Sequence, residues 1–218
     1  MSPIEFRPAG ILEKQLGLPT AEDWLSPEVV RRADAEILTR YPKLREAEKA
    51  VPDGYVPIAK DAAACAKHPF RLVRFMVPPG FMDRSVVMLG MAMTITTPLL
   101  AQAQALWATA YLGGKGGVRT RERCPGDLVE GMGIRAKREG VDVDVVWEMA
   151  LHTQFGVHRC PGGFGKRNPD FVFDAIPYVD LLLADLGLNV RRKAWWSWVK
   201  PYGVADYRGL VEEWLGTQ

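Results

Sequence analysis

The stretch SVVMLGMAMTITTPLLAQAQALWATAYLGG, residues 85–114, constrains the chain more than any other part of it. From Pro98 onward, Leu100, Ala103, Leu106, Trp107, Ala110 and Tyr111 form one apolar stripe at helical spacing. Proline fits the first helical turn and the paired Gly113–Gly114 supply a C-cap, so the run predicts a helix with one buried face. Before it, SVVMLG reads as a short strand that is apolar on both faces, of the kind found inside a covered sheet. Thr94, Thr96 and Thr97 stand between the two and predict a turn with one threonine capping the helix. A helix start also offers unpaired N–H groups to an anionic or electron-rich ligand edge. The residues alone support a plain N-cap and a ligand-facing turn equally.

The rest of the chain is punctuated by proline and glycine. Ser26 and Pro27 open a helix in which Val30, Ala33 and Ile37 recur, and Tyr41–Pro42 stop it. VPDGYVPIAKD is a loop, and HPFRLVRFMVPP reads as a strand bounded by prolines. GGKGGVRTRERCPG is a polar loop, with helices expected at about 127–139 and 143–155. After a second Gly/Pro loop, CPGGFGKRNPDF, a helix runs from Pro177 to Gly187. Tyr207, Leu210, Val211, Trp214 and Leu215 predict one last amphipathic helix. Together these elements predict an α+β fold, mainly helical with a small sheet.

Length and charge exclude several classes. At 218 residues, 48% hydrophobic and 25% charged, the chain holds enough apolar material for a buried core. A formal net charge of +2 gives no electrostatic case for nucleic acid. The basic runs Arg31–Arg32 and Arg191–Arg192–Lys193 read as solvated helix ends. The longest apolar candidate, Pro98–Leu112, is interrupted by Gln102 and Gln104 and is too short to span a bilayer. With no signal-like N-terminus and three cysteines, the expectation is a cytoplasmic protein without membrane association or a disulfide framework.

Familiar catalytic patterns are weak. The glycine clusters at Gly113–Gly117 and Gly162–Gly165 miss the dinucleotide spacing at Arg119 and Asn168, and neither follows an expected strand. His152, His158, Cys160 and Cys124 lack the pairing of a zinc site, and no metal is expected. Ser85 and Ser197 have no neighbouring histidine, and His68 before Pro69 reads as a turn residue. No acid, base or nucleophile stands out. Met76, Met82, Met88, Met91 and Met93 read chiefly as gap-filling core.

Three separated blocks nevertheless resemble the C-terminal part of the flavin-containing monooxygenase-like family, in its fungal branch. FRLVRFMVPPGFMDRSVVMLGMAMTITTPLLAQAQALWATAYLGGK resembles the strand, glycine and helix that pass the flavin ring, with Gly90 as the glycine and Gln102, Gln104 and Trp107 as the helix pattern. RNPDFVFDAIPYVDLLLADLGL and KPYGVADYRGLVEEWL resemble two later segments in the same order. The resemblance implies FAD and NADPH as cofactors, a small-molecule substrate and oxygen insertion beside a soft heteroatom or ketone, in specialised metabolism. It implies that Gly90, Met91, Met93, Thr94, Thr96 and Thr97 face the flavin, with Gln102 and Trp107 supporting the substrate pocket.

The two dinucleotide fingerprints of that family do not occur in this sequence. The expectation is therefore a single domain over 1–218 that corresponds to a partial Rossmann-like monooxygenase fold lacking its N-terminal dinucleotide-binding half. Residues 1–68 form its lead-in, 69–114 the flavin-facing strand–strand–helix core, and 115–218 a helical C-terminal region. Such a chain implies a separate N-terminal FAD/NADPH-binding chain as partner, or self-association through an exposed sheet edge. The alternative is a truncated, non-catalytic module that binds a small ligand or a protein.

Overall fold

The computed structural model describes residues 11–19, 22–50, 68–130, 140–159, 169–193 and 200–217. The stretch VPDGYVPIAKD, most of CPGGFGKRNPDF, and residues 131–139 of an expected helix lie outside them; residues 126–130 are helical. The chain forms two compact units, Met1–Met91 with Thr120–Asp170, and Ala92–Arg119 with Phe171–Gln218.

In the first unit, α1 (Ile11–Gln15) is followed by α2 (Pro27–Arg40) and α4 (Val143–Arg159), with single-turn or 3-10 segments at Pro42–Ala50 and Pro79–Phe81. Ser26 caps α2 as the sequence predicts, its Oγ accepting from Val29 N at 3.3 Å, a contribution of about 1 kcal/mol. Val29, Ala33 and Ile37 are buried on α2, which packs against α4, where Val146, Trp147, Met149 and Ala150 are buried. The α2 stripe is thus legible, displaced by one residue at its start: Val30 is only half-buried. Gly17 ends α1 with φ 67°, and Arg71 N donates to its carbonyl at 2.8 Å. A Cβ there would sit 2.1 Å from the Arg71 carbonyl oxygen, so only glycine admits this close approach.

In the second unit, α3 (Thr97–Leu112) packs on α5 (Ala175–Asp185). All six residues of the expected α3 stripe are buried. The Trp107 ring stacks on Tyr111 with centroids 4.9 Å apart. Gly113 N donates to Thr109 O and Gly114, at φ 73°, follows as the left-handed residue that ends the helix. The expected C-terminal helix is broken in two. A 3-10 turn at Val204–Tyr207 and α6 (Leu210–Leu215) are separated by Gly209, which has φ 74°. Arg192 and Lys193 are not solvated helix ends, whereas Arg31 and Arg32 are exposed on α2. Arg192 donates to the Asp206 carbonyl at 2.7 Å and to Glu213 at 2.8 Å, and Lys193 donates to the Lys200 and Pro201 carbonyls. They clamp the C-terminal segment to the end of the α5 connection.

The expected α+β architecture does not form. Among the described residues there is no β-strand and no sheet, hence no Rossmann-like layer and no sheet edge through which copies could associate. HPFRLVRFMVPP folds back on itself instead. Val73 and Val77 make an isolated antiparallel bridge, with N–H to carbonyl distances of 2.8 and 2.9 Å. Arg74 and Phe75 between them have φ 53° and 56°, the positive values of a tight reversal. Pro69, Pro78 and Pro79 flank the turn and have no N–H to give a ladder. The apolar residues that suggested a strand are buried, Leu72, Val73, Met76 and Val77 included, but as a plug. SVVMLG forms no strand: Met88 N donates to Met76 O at 2.7 Å, while Val86 and Val87 are half-buried and Leu89 is exposed. Burial selects apolar residues for a turn as readily as for a strand, and among the described residues no neighbouring strand is present to choose between them.

Candidate functional site

The segment expected to face a flavin runs across the boundary between the units, Gly90 and Met91 ending the first run and Met93–Thr97 opening the second. Gly90 is exposed at φ 76°, and nothing lies within 4 Å of a Cβ placed there. Met91 is half-buried. In the second unit, Met93 and Ile95 are exposed, Ile95 to 77%. The carbonyl of Met93 accepts from Phe171 N at 2.8 Å, which fixes this stretch beside the start of the α5 arm. There Phe171 stacks on Tyr178 at 4.5 Å, while Phe173 is 83% exposed.

The threonines form a turn held by its own hydroxyls. Thr94 Oγ1 accepts from Thr96 N at 3.1 Å and lies 3.1 Å from Thr96 Oγ1, and Thr97 Oγ1 donates to Thr94 O at 3.1 Å. Thr96 occupies the N-cap position of α3, yet its side chain makes no capping bond to the first turn. The helix therefore opens without the hydroxyl cap that the sequence suggests.

Along α3 the polar residues divide between two faces. Gln102 is exposed. Gln104 is buried, and its Nε2 donates to Tyr178 Oη at 2.9 Å. Trp107 is 1% exposed, and its Nε1 donates to Asp185 Oδ2 at 3.0 Å. The other Asp185 oxygen accepts from Arg119 N at 3.0 Å. A buried carboxylate needs such donors to offset its desolvation. Trp107 and Gln104 thus hold α3 to α5 from within, and Gln102 stands on the opposite side.

Sequence reasoning missed a buried polar cluster in the first unit. Arg71, 1% exposed, donates to Asp23 through Nε at 2.9 Å and NH2 at 2.6 Å, and through NH1 to Thr153 Oγ1 at 2.8 Å and Gln154 Oε1 at 2.9 Å. Gln154 Nε2 donates to Asp34 Oδ1 at 2.7 Å, and His158 Nε2 bonds the same oxygen at 2.7 Å. Burial raises the Asp34 carboxyl, but the His158 and Gln154 hydrogen bonds outweigh it and hold the group below its ordinary range. One turn of helix away, Arg74 pairs with Glu148 at 3.2 Å, both side chains buried. His152 stacks on Phe75 at 6.4 Å, and burial, with the Arg74 charge, pushes its imidazole down to about 4. These links join residues up to 124 positions apart, with no local motif to announce them.

The histidines are therefore engaged separately, and among the described residues no three His, Cys, Asp or Glu side chains assemble as a metal site. Cys65 and Cys160 lie outside those residues. Cys124 has its N–H on Asp144 at 2.8 Å, and burial pushes its thiol up to about 11, the opposite of an activated nucleophile. The Gly113–Gly117 cluster follows a helix, whereas a phosphate-cradling loop follows a strand. Among the described residues, no glycine-rich loop follows a strand. No helix among them is long and apolar enough to cross a membrane.

Comparison with known proteins gives this arrangement its context: the chain is homologous to fungal FAD-dependent monooxygenases. The FAD-dependent monooxygenase rstn6 of Aspergillus nomiae is 30% identical over an alignment of 226 residues, which takes in 94% of this chain and 32% of its own length. The FAD-dependent monooxygenase avaB of Aspergillus versicolor is 36% identical over 153 residues, 67% of this chain and 18% of its own. The FAD-dependent monooxygenase resA of Aspergillus sclerotiorum is 29% identical over 208 residues, 90% of this chain and 29% of its own. The chain spans less than a third of the length of these relatives. No protein-family model matches it. No solved structure matches it either.

Proposed function

We propose that this chain supplies the flavin-edge and substrate-pocket portion, C-terminal in type, of an FAD- and NADPH-dependent monooxygenase acting on a small organic molecule in specialised metabolism. The observation that carries this reading is the alignment of 94% of the chain with about a third of an FAD-dependent monooxygenase. Bound FAD would supply the oxygen chemistry. The chain's own residues would position and shield: Gly90 leaves the place of a side chain empty, and Met91 and Met93 offer soft apolar surface. Thr94, Thr96 and Thr97 would present a turn already satisfied by its own hydroxyls, in front of a helix start whose dipole favours an electron-rich ring edge. Gln102 would reach the substrate side, and Trp107 would fix the helix from behind through Asp185.

On this reading the residues that grip the dinucleotides belong to other polypeptide, either elsewhere in a longer protein or in a separate chain. The test places bulk at the open edge. Gly90→Trp and Thr96→Trp, in the chain mixed with FAD and the part of the Aspergillus nomiae relative that this chain does not match, are expected to shift the visible flavin spectrum relative to the unsubstituted mixture. The circular dichroism of the Thr96→Trp chain should stay unchanged. Flavin spectra identical in all three mixtures would remove residues 90–97 from the flavin site.

A further inference from the structure

We propose that the outer face of α3 is a docking surface, and that its occupant is the FAD-binding polypeptide of the same monooxygenase; the inference rests on the function proposed above. Among the α-helices of the described residues, α3 alone has no charged residue: TPLLAQAQALWATAYL is uncharged through all 16 positions. A helix that is apolar on every side is ordinarily covered on every side. Yet α3 is buried on only part of its circumference, the part that includes the face meeting α5. Pro98, Ala101, Gln102, Ala105, Thr109 and Leu112 are exposed, following one another along a single outer stripe. Thr109 turns its hydroxyl back onto the Ala105 carbonyl at 2.8 Å, so even this polar group is satisfied inside the helix. At the head of the stripe stand exposed Ile95 and Met93. By contrast, α2 in the other unit carries exposed Glu28, Arg31 and Arg32 on its outer side, as a solvated helix should.

Size sets how much of an interface this face can be. A 16-residue helix is about 24 Å long, and a stripe about 10 Å wide along it offers roughly 240 Å². A stable pair of identical copies needs on the order of 800 Å² from each partner. This face is too small to hold a second copy by itself, but suits one part of a larger interface with a polypeptide that also meets other surfaces of the chain. The relatives carry such polypeptide: two thirds or more of each lies outside the matched region. The small side chains of Ala101 and Ala105 would let an uncharged helix or sheet approach closely.

The test uses the full chain and, as probe, the part of the Aspergillus nomiae relative outside the matched region, loaded with FAD. Ala105→Arg and Ala101→Arg place a charge on the stripe while keeping a strong helix former, and Lys43→Glu, an exposed change in the first unit, serves as a control. The unsubstituted chain and Lys43→Glu are expected to bind the probe alike in calorimetry. The two arginine variants should bind at least about tenfold more weakly, with unchanged helicity and melting when alone. Arginine variants that bind as well as the unsubstituted chain would overturn the docking face and leave the monooxygenase reading standing. Failure of the unsubstituted chain to bind would overturn both. A chain that sediments as a dimer and becomes monomeric on Ala105→Arg would overturn the proposal in favour of a second copy.

Discussion

At the scale of single residues, the buried and half-buried polar groups of the first unit make the sharpest predictions. Arg71 spends its guanidinium on Asp23, Thr153 and Gln154, and these in turn reach Asp34 and His158. Arg71→Met keeps the volume but strips those acceptors of their donor. It should lower stability by about 3–5 kcal/mol in urea unfolding, the range for breaking one side of a buried pair. His152 gives a pH dependence of definite sign. Its folded imidazole is depressed from 6.5 to about 4, so the unfolded chain takes up the proton first as the solution is acidified. The stability it permits is fully present above 6.5 and declines as pH falls from 6.5 towards about 4. Urea midpoints measured across that window should slope less steeply in His152→Leu than in the unsubstituted chain. Neither cluster was legible beforehand. His152 and His158 drew attention as metal candidates because they are close in sequence, whereas their partners Phe75 and Asp34 come from distant segments.

At the scale of elements, helices were legible and strands were not. The α3 stripe, the Ser26 cap and the α5 limits could be read because a helix declares itself within about ten residues, through period and caps. A strand needs a partner, and HPFRLVRFMVPP has none among the described residues; it closes at positive φ through Arg74 and Phe75. The split of the C-terminal helix at Gly209 was also hidden, because Tyr207 and Leu210 remain buried on either side of the break and preserve the apolar pattern. Trp107→Phe tests how α3 is held to α5. It preserves most of the buried ring but removes the indole N–H that donates to Asp185. A loss of about 1–3 kcal/mol is expected in thermal melting, with the helix content unchanged. Gly17→Ala should be worse tolerated than a typical surface change, since backbone rather than side chain occupies the space a Cβ would need.

At the scale of the whole molecule, each of the two units has its own buried core, and neither contains a sheet among the described residues. Residues 90–97 are a candidate flavin edge by resemblance alone, and their geometry is not written in the sequence. The sequence pointed to residues 90–97 through their resemblance to a known pattern; the structure adds the open space at Gly90, the threonine turn and the exposed Met93 and Ile95. Exposed apolar groups beside an uncharged helix accord with a chain that works against other polypeptide. The measurement that tests this most directly is flavin retention after gel filtration. The chain alone, incubated with FAD, should emerge colourless. With the unmatched part of the Aspergillus nomiae relative added, the two should emerge together and yellow, holding more FAD than that polypeptide holds by itself. A chain that retains FAD alone, or that leaves the flavin content of the other polypeptide unchanged, would contradict the account.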